Sequence, residues 1–304
     1  MSNLDIFGFR ALFSPYFFLF LVFITLLYFL IVNKGYSRFG KGKKTSWQTK
    51  MFFVLAIVTL YIIKGSPVDL LSHLIFSAHM TQMALLYLVV PPLFILGIPS
   101  WGFEAVLFNK WVKPLFSFAT KPLISLILFN GAFSFYHLPL IFDFVKTNAF
   151  IHGSVTSFLF VASFCMWWPL MNKVNENDMS GIKKIGYIFA NGVLLTPACA
   201  LIIFANTPLY ETYTSPEAWL QAMSLCVPVD MLGSLNISGP EMFNTLPPLE
   251  DQQLGGVLMK IIQEIVYGSI LAYVFFGWAR RERAKDAISP LPDDFSPSEH
   301  IVNK

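Results

Sequence analysis

Charge is scarce in this chain: Asp, Glu, Lys and Arg make up 13% of 304 residues, against 55% hydrophobic and 16% aromatic. One water-soluble core cannot hide that much apolar surface, so the composition points to a polytopic membrane protein. Cysteine is nearly absent as well. Cys165, Cys199 and Cys226 are odd in number and lack CxxC spacing, which removes a disulfide framework or a zinc ribbon. Cys165 and Cys199 lie in apolar runs and read as small packing residues, whereas Cys226 falls in a loop and has no such explanation. There is no Walker A loop, no G-x-S-x-G, no H-E-x-x-H and no CxxCH. ATPase, serine hydrolase, metalloprotease and covalent c-haem readings therefore lack support, and a non-catalytic role is expected. No nucleic-acid partner is expected either, because the basic run Lys41-Gly-Lys-Lys44 reads as a topogenic signal beside a membrane span.

What is present is a series of long apolar runs. They predict an all-α bundle of about seven transmembrane helices in the lipid bilayer, over Phe13–Val32, Met51–Ile63, His73–Ile98, Pro122–Phe142, Phe150–Leu170, Ile185–Phe204 and Gly255–Trp278. The first run has one basic residue before it, Arg10, and a basic cluster after it. That is the reverse of a cleavable signal peptide, so the segment is expected to stay. Seven spans with the N-terminus outside put the C-terminus inside, and the remaining charges test this independently: seventeen basic residues fall on inner segments and only Arg10, Lys64 and Lys146 on outer ones. Residues 1–285 form one bundle on this reading, and 286–304, with His300, a disordered cytoplasmic tail.

The segment from Asn206 to Asp251 has no Lys or Arg but six acids, and prolines at 208, 216, 228, 240, 247 and 248. Two readings stay open for this outer loop. It is either a solvated connection with an amphipathic piece near 216–235 lying on the membrane surface, or a docking surface for a basic or metal-bearing partner.

An ionisable side chain inside a membrane is costly unless it meets a partner. Four of the five histidines fall at one depth once the topology is drawn: His73 and His79 at the outer start of the third span, His137 near the outer end of the fourth, and His152 at the start of the fifth. On a continuous helix His73, His79, Met80 and Met83 would share one face. Each of these residues alone reads as packing. Together they make a candidate metal site of His73, His79, Met80, Met83, His137 and His152, and the soft thioethers favour copper over zinc. Asp69 and Asp143 could orient an imidazole or, as is usual for a loop carboxylate, be solvated. Gly255 and Gly256 would allow close helix approach, Lys260 and Glu264 would neutralise each other across one turn, and Pro91-Pro92 and Thr196-Pro197 would kink their spans. Asn130 lies about two helical turns before His137, on its face and deeper in the span.

The pieces His79-Met-Thr-Gln-Met-Ala-Leu-Leu, Val90-Pro-Pro-Leu, Leu96-Gly-Ile-Pro, Phe135-Tyr-His-Leu-Pro, Trp167-Trp-Pro-Leu and Asp251-Gln-Gln-Leu-Gly-Gly resemble the CtaG-type cytochrome c oxidase assembly factors of Gram-positive bacteria, associated with caa3-type oxidase. The resemblance implies a bacterial plasma-membrane factor that partners cytochrome c oxidase subunits and helps a copper centre form. Two positions depart from the family pattern: Met83 stands where many members carry histidine, and Thr156 or Ser157 where a second histidine follows. Haem held between two of the histidines is the alternative cofactor, a copper or proton transporter a third reading, and a scaffold that docks the oxidase through its acidic loop a fourth.

Overall fold

The computed structural model describes residues 4–35, 44–107, 109–171, 174, 179–224, 227, 239 and 242–288. Among these there is no strand, and six helices are long and apolar enough to cross a membrane, or seven when a bent pair counts as one span. The protein is therefore an all-α polytopic membrane protein. Cys226, the tail from 289 and most of the stretch 225–241 lie outside the described residues.

In chain order the helices are α1 (Gly8–Phe13), α2 (Pro15–Gly35), α3 (Trp47–Lys64), α4 (Pro67–Leu74), α5 (Phe76–Ala84), a π turn at Leu85–Val89, α6 (Val90–Gly97), α7 (Ser100–Leu107), α8 (Lys113–Ala119), α9 (Pro122–Tyr136), α10 (Pro139–Lys146), α11 (Ala149–Met171), α12 (Gly181–Ile203), α13 (Pro216–Met223) and α14 (Pro248–Ile288). Many starts are written in the sequence. Proline occupies the first turn of α4, α8, α9, α10 and α13, where its missing N–H costs nothing. Ser46, Ser66 and Ser180 cap α3, α4 and α12 through their side chains.

The third span, Phe76–Gly97, is 67% buried inside the protein, whereas the other five unbroken spans range from 17% to 39%. It is the axis around which the rest pack. Pro91 and Pro92 remove the amides that would bond the carbonyls of Tyr87 and Leu88 one turn earlier. The helix answers with the π turn, and the freed Tyr87 carbonyl accepts from Ser163 Oγ (2.5 Å) and Trp167 Nε1 (3.0 Å) on α11. α12 runs without interruption through Pro197.

Close approach fixes the last helix against this axis. A Cβ on Gly255 would lie 2.8 Å from Phe76, and one on Gly256 would lie 2.7 Å from Ile203, so both glycines have the role the sequence suggests. Lys260 and Glu264 pair at 2.8 Å, and Lys260 also reaches Thr196 Oγ1 at 3.2 Å. Large apolar side chains such as Phe18, Phe23, Phe135, Phe158 and Phe189 face outward, as they must where the solvent is lipid.

The last helix, α14, extends past Gly255–Trp278 at both ends, and the third and fourth spans differ from the sequence expectation in kind. The third span does not begin at His73: the chain is extended at Ile75 (φ −135°, ψ 140°), and His73 belongs to the separate helix α4. The cause is a distant carboxylate. Asp251 of α14 accepts from the amides of Phe76 (2.7 Å) and Ser77 (3.3 Å) and so starts α5 afresh. The fourth span ends at Tyr136 rather than Phe142, and it enters through a 75° bend between α8 and α9. Pro139 then opens the short helix α10.

Candidate functional site

Four elements deliver the four histidines to one end of the bundle, the end that the basic residues assign to the outside. His73 comes from α4, His79 from α5, His137 caps the C-terminus of α9, and His152 lies in the first turn of α11. His73, His79 and His137 are at most 3% exposed. They fall into two pairs, His73 with His152 at 5.8 Å between ring centroids and His79 with His137 at 6.4 Å. Because α4 and α5 are separate helices, His73 and His79 reach the site by folding and not by sharing one helix face.

The protonation pattern is partly fixed. Nδ1 of His137 lies 2.8 Å from the Phe133 carbonyl, which can only accept, so Nδ1 carries the proton and Nε2 keeps its lone pair. Among the described residues, that Nε2 has no hydrogen-bond partner, nor has either nitrogen of His79, Nδ1 of His73, Nδ1 of His152, or the Tyr136 hydroxyl. A buried polar atom left without a partner costs about 1–3 kcal/mol. Five such imidazole nitrogens in one cluster require an explanation beyond packing.

Among the described residues, no group of three or more His, Cys, Asp or Glu side chains is arranged to hold a metal ion. The donor set is thus two pairs of imidazoles and not a ready tetrahedral cage. A metal–nitrogen bond of about 2.0–2.1 Å on each of two rings puts their centroids at most about 6.4 Å apart. His73–His152 lies within that limit, and His79–His137 reaches it with the two nitrogens and the metal in line. Met80 and Met83 are buried in the same core, Met80 on the seam with α14, where a Cβ on Gly255 would come 3.1 Å from its Cγ.

The acidic residues have other work. Asp69 accepts from Lys64 Nζ (2.6 Å) and Gln82 Nε2 (2.8 Å), and Asp143 accepts from the amides of Glu211 and Thr212, both at 3.0 Å. They tie elements together and leave the imidazoles alone, which corrects the orienting role considered from sequence. Asn130 pairs with Asn191 at 3.0 Å, deeper in the bundle.

Sequence reasoning missed a lysine and a roof. By sequence Lys146 is only an outer-loop charge, yet it is 1% exposed, with its ammonium 6.0 Å from the Phe142 ring and 5.8 Å from that of Tyr213. It is close enough to His73, His79 and His152 to act on all three electrostatically. The available signal was the spacing of Phe142, Val145 and Lys146, which places the lysine on the buried face of α10. The roof is the start of the outer loop. Tyr210 donates to the His137 carbonyl (2.9 Å), Tyr213 to the Ser72 carbonyl (2.7 Å) and Trp219 to the Leu74 carbonyl (3.3 Å). One of the two readings open for the outer loop lays the 216–235 stretch on the membrane surface. Its described helical part, α13, instead buries Trp219, Ala222 and Met223 completely, with Trp219 and Met223 in a cluster with Phe7, Leu12, Leu70 and Leu74.

Taken together, these features define a multi-pass membrane protein with a roofed cluster of histidines at one end of its bundle. The profile of the cytochrome c oxidase caa3 assembly factor family (Caa3_CtaG) matches residues 26–281, so the chain belongs to that family and is a multi-pass protein of the bacterial cell membrane. Among curated proteins and among solved structures nothing matches significantly.

Proposed function

We propose that the histidine cluster accepts copper at the outer face of the membrane and passes it to a subunit of the caa3-type oxidase. The family supplies the oxidase assembly role, and the copper step is the part proposed. The observation that carries it is the set of buried imidazole nitrogens that have no partner among the described residues, in two pairs whose ring centroids lie 5.8 and 6.4 Å apart. A two-ligand pair suits Cu(I), which tolerates low coordination, better than Zn(II), which takes four ligands in a tetrahedron. Lys146 favours the same choice, because its ammonium repels a divalent ion twice as strongly as a monovalent one.

Transfer follows from the same geometry. An ion held by one pair has a second pair beside it, so it can exchange ligands stepwise without ever losing all of them. Tyr210, Tyr213 and Trp219 each donate one hydrogen bond to a backbone carbonyl beneath the roof, and loosening those bonds is the step we assign to release. Haem fits less well. The rings of Phe76, Tyr136, Phe142 and Tyr213 surround His79 at 5.2–6.4 Å and occupy the space a porphyrin plane would need.

The test is the copper content of detergent-purified protein after anaerobic Cu(I) loading and desalting, with His79→Ala and His137→Ala alongside. The expected result is stoichiometric copper in the wild type and its loss in both variants. A wild type that retains no copper refutes the proposal, and a Soret band in the purified protein would favour the haem reading.

A further inference from the structure

At the other end of α11 from His152, a cavity of about 570 Å³ opens between α11, α12 and α14. That volume lies within the range of about 300–1,000 Å³ typical of small-molecule sites. Its wall changes character along the bundle axis. Ile270 and Val274 line the part that falls in the apolar span, whereas Lys184, Arg280 and Arg281 line the other part, with Glu282 the one acid among the described lining residues. The charge of these described residues is net positive. Arg280 Nε donates to the Phe276 carbonyl at 3.2 Å, which pins the base of its guanidinium to its own helix.

Two more features suit an anion. Gly181 and Ile182 line the cavity in the first turn of α12, a 23-residue helix whose opening amides have no intrahelical acceptor. Trp278 lies between the apolar and basic parts, at the depth where an indole prefers the headgroup region. Its place depends on a glycine, since a Cβ on Gly181 would come 2.5 Å from the Trp278 ring. α14 is long enough for this arrangement: at about 1.5 Å per residue its 41 residues far exceed a hydrocarbon core of about 30 Å. Arg280 and Arg281 can therefore sit at the inner boundary of the membrane.

We propose that this cavity binds an anionic phospholipid of the inner leaflet, with its phosphate among Lys184, Arg280 and Arg281 and an acyl chain along Ile270 and Val274. A free phosphate would use the basic part alone and leave the apolar wall unexplained. A zwitterionic lipid would bring a cationic group to a site that is already positive. The proposal is independent of the metal reading.

The experiment is native mass spectrometry of the full-length protein, delipidated and then supplied with phosphatidylglycerol or phosphatidylcholine of identical acyl chains. The wild type and the triple variant Lys184→Gln/Arg280→Gln/Arg281→Gln are compared. In the wild type one phosphatidylglycerol should be retained with a preference over phosphatidylcholine of about tenfold or more. The triple variant should lose that preference at an unchanged melting temperature. If the triple variant fails to fold, Arg281→Gln alone should show a partial loss. Equal retention of the two lipids by the wild type, or wild-type preference in the variants, would overturn the proposal. Displacement of phosphatidylglycerol by millimolar glycerol phosphate would also overturn it, because the apolar wall would then contribute nothing.

Discussion

Asp251→Ala should cost the protein both stability and the Cu(I) retention proposed for the histidine cluster, through one helix end. The Asp251 carboxylate is 2% exposed and accepts the amides of Phe76 and Ser77 at 2.7 and 3.3 Å. It thereby starts α5 three residues before His79. Hydrogen bonds to a charged group contribute about 1.5–3 kcal/mol each, and the positive end of the helix dipole adds to the attraction. Truncation leaves two amides facing apolar surroundings, so the loss should be about 3–5 kcal/mol. Asp251→Asn keeps one acceptor oxygen and removes the charge, which should cost roughly half as much. Unfolding in mixed micelles of increasing SDS content, followed by tryptophan fluorescence, reads the stability, and Cu(I) retention reads the position of His79. The expected order in both assays is wild type, Asn, Ala. If Asp251→Ala unfolds within about 0.5 kcal/mol of wild type, the carboxylate is not what begins α5.

Further substitutions probe packing, charge and the roof. Gly255→Ala places a Cβ 2.8 Å from Phe76 and should destabilise by about 1–3 kcal/mol, while Gly131→Ala, with nothing within 4 Å, should be neutral or slightly stabilising in the same assay. Lys146→Met should relax discrimination against divalent ions. Because the ammonium repels a divalent ion twice as strongly as a monovalent one, Zn(II) retention relative to Cu(I) should rise by about tenfold for each ~1.4 kcal/mol of repulsion removed, measured by elemental analysis after competitive loading. Tyr210→Phe removes the bond to the His137 carbonyl and should loosen the roof. Copper transfer to a soluble Cu(I) chelator should then accelerate, with stability lowered by about 0.5–1.5 kcal/mol, and unchanged release would show that the roof is not the gate.

How much of this could be read from the sequence depends on the range of the interactions involved. Hydropathy located the spans, because a span is a local property of about 20 residues. Proline and serine located many helix starts for the same reason. Gly255 and Gly256 stood out because a pair of glycines in an apolar helix has few uses besides close approach. The break at Ile75 carried no local mark: it is made by a carboxylate 175 residues away along the chain. His73 was accordingly put on the same helix face as His79, and it reaches the cluster by another route. Lys146 shows the limit from the other side. A lysine between two spans reads as a topogenic charge, and only the packing of α10 under Tyr213 buries it. Asp69 and Asp143 looked available for the histidines until Lys64, Gln82 and the turn at Glu211–Tyr213 engaged them.

The central claim is that these histidines carry copper to the oxidase, and the most direct test is the oxidase itself. Cells whose assembly factor carries His79→Ala and His137→Ala together should be grown in limiting copper, and copper per haem measured in the purified caa3-type oxidase. The account predicts oxidase protein that is present but deficient in copper, with the deficit reduced by added copper. Oxidase with a full copper complement from cells making the double variant, at wild-type levels of the assembly factor, would contradict it.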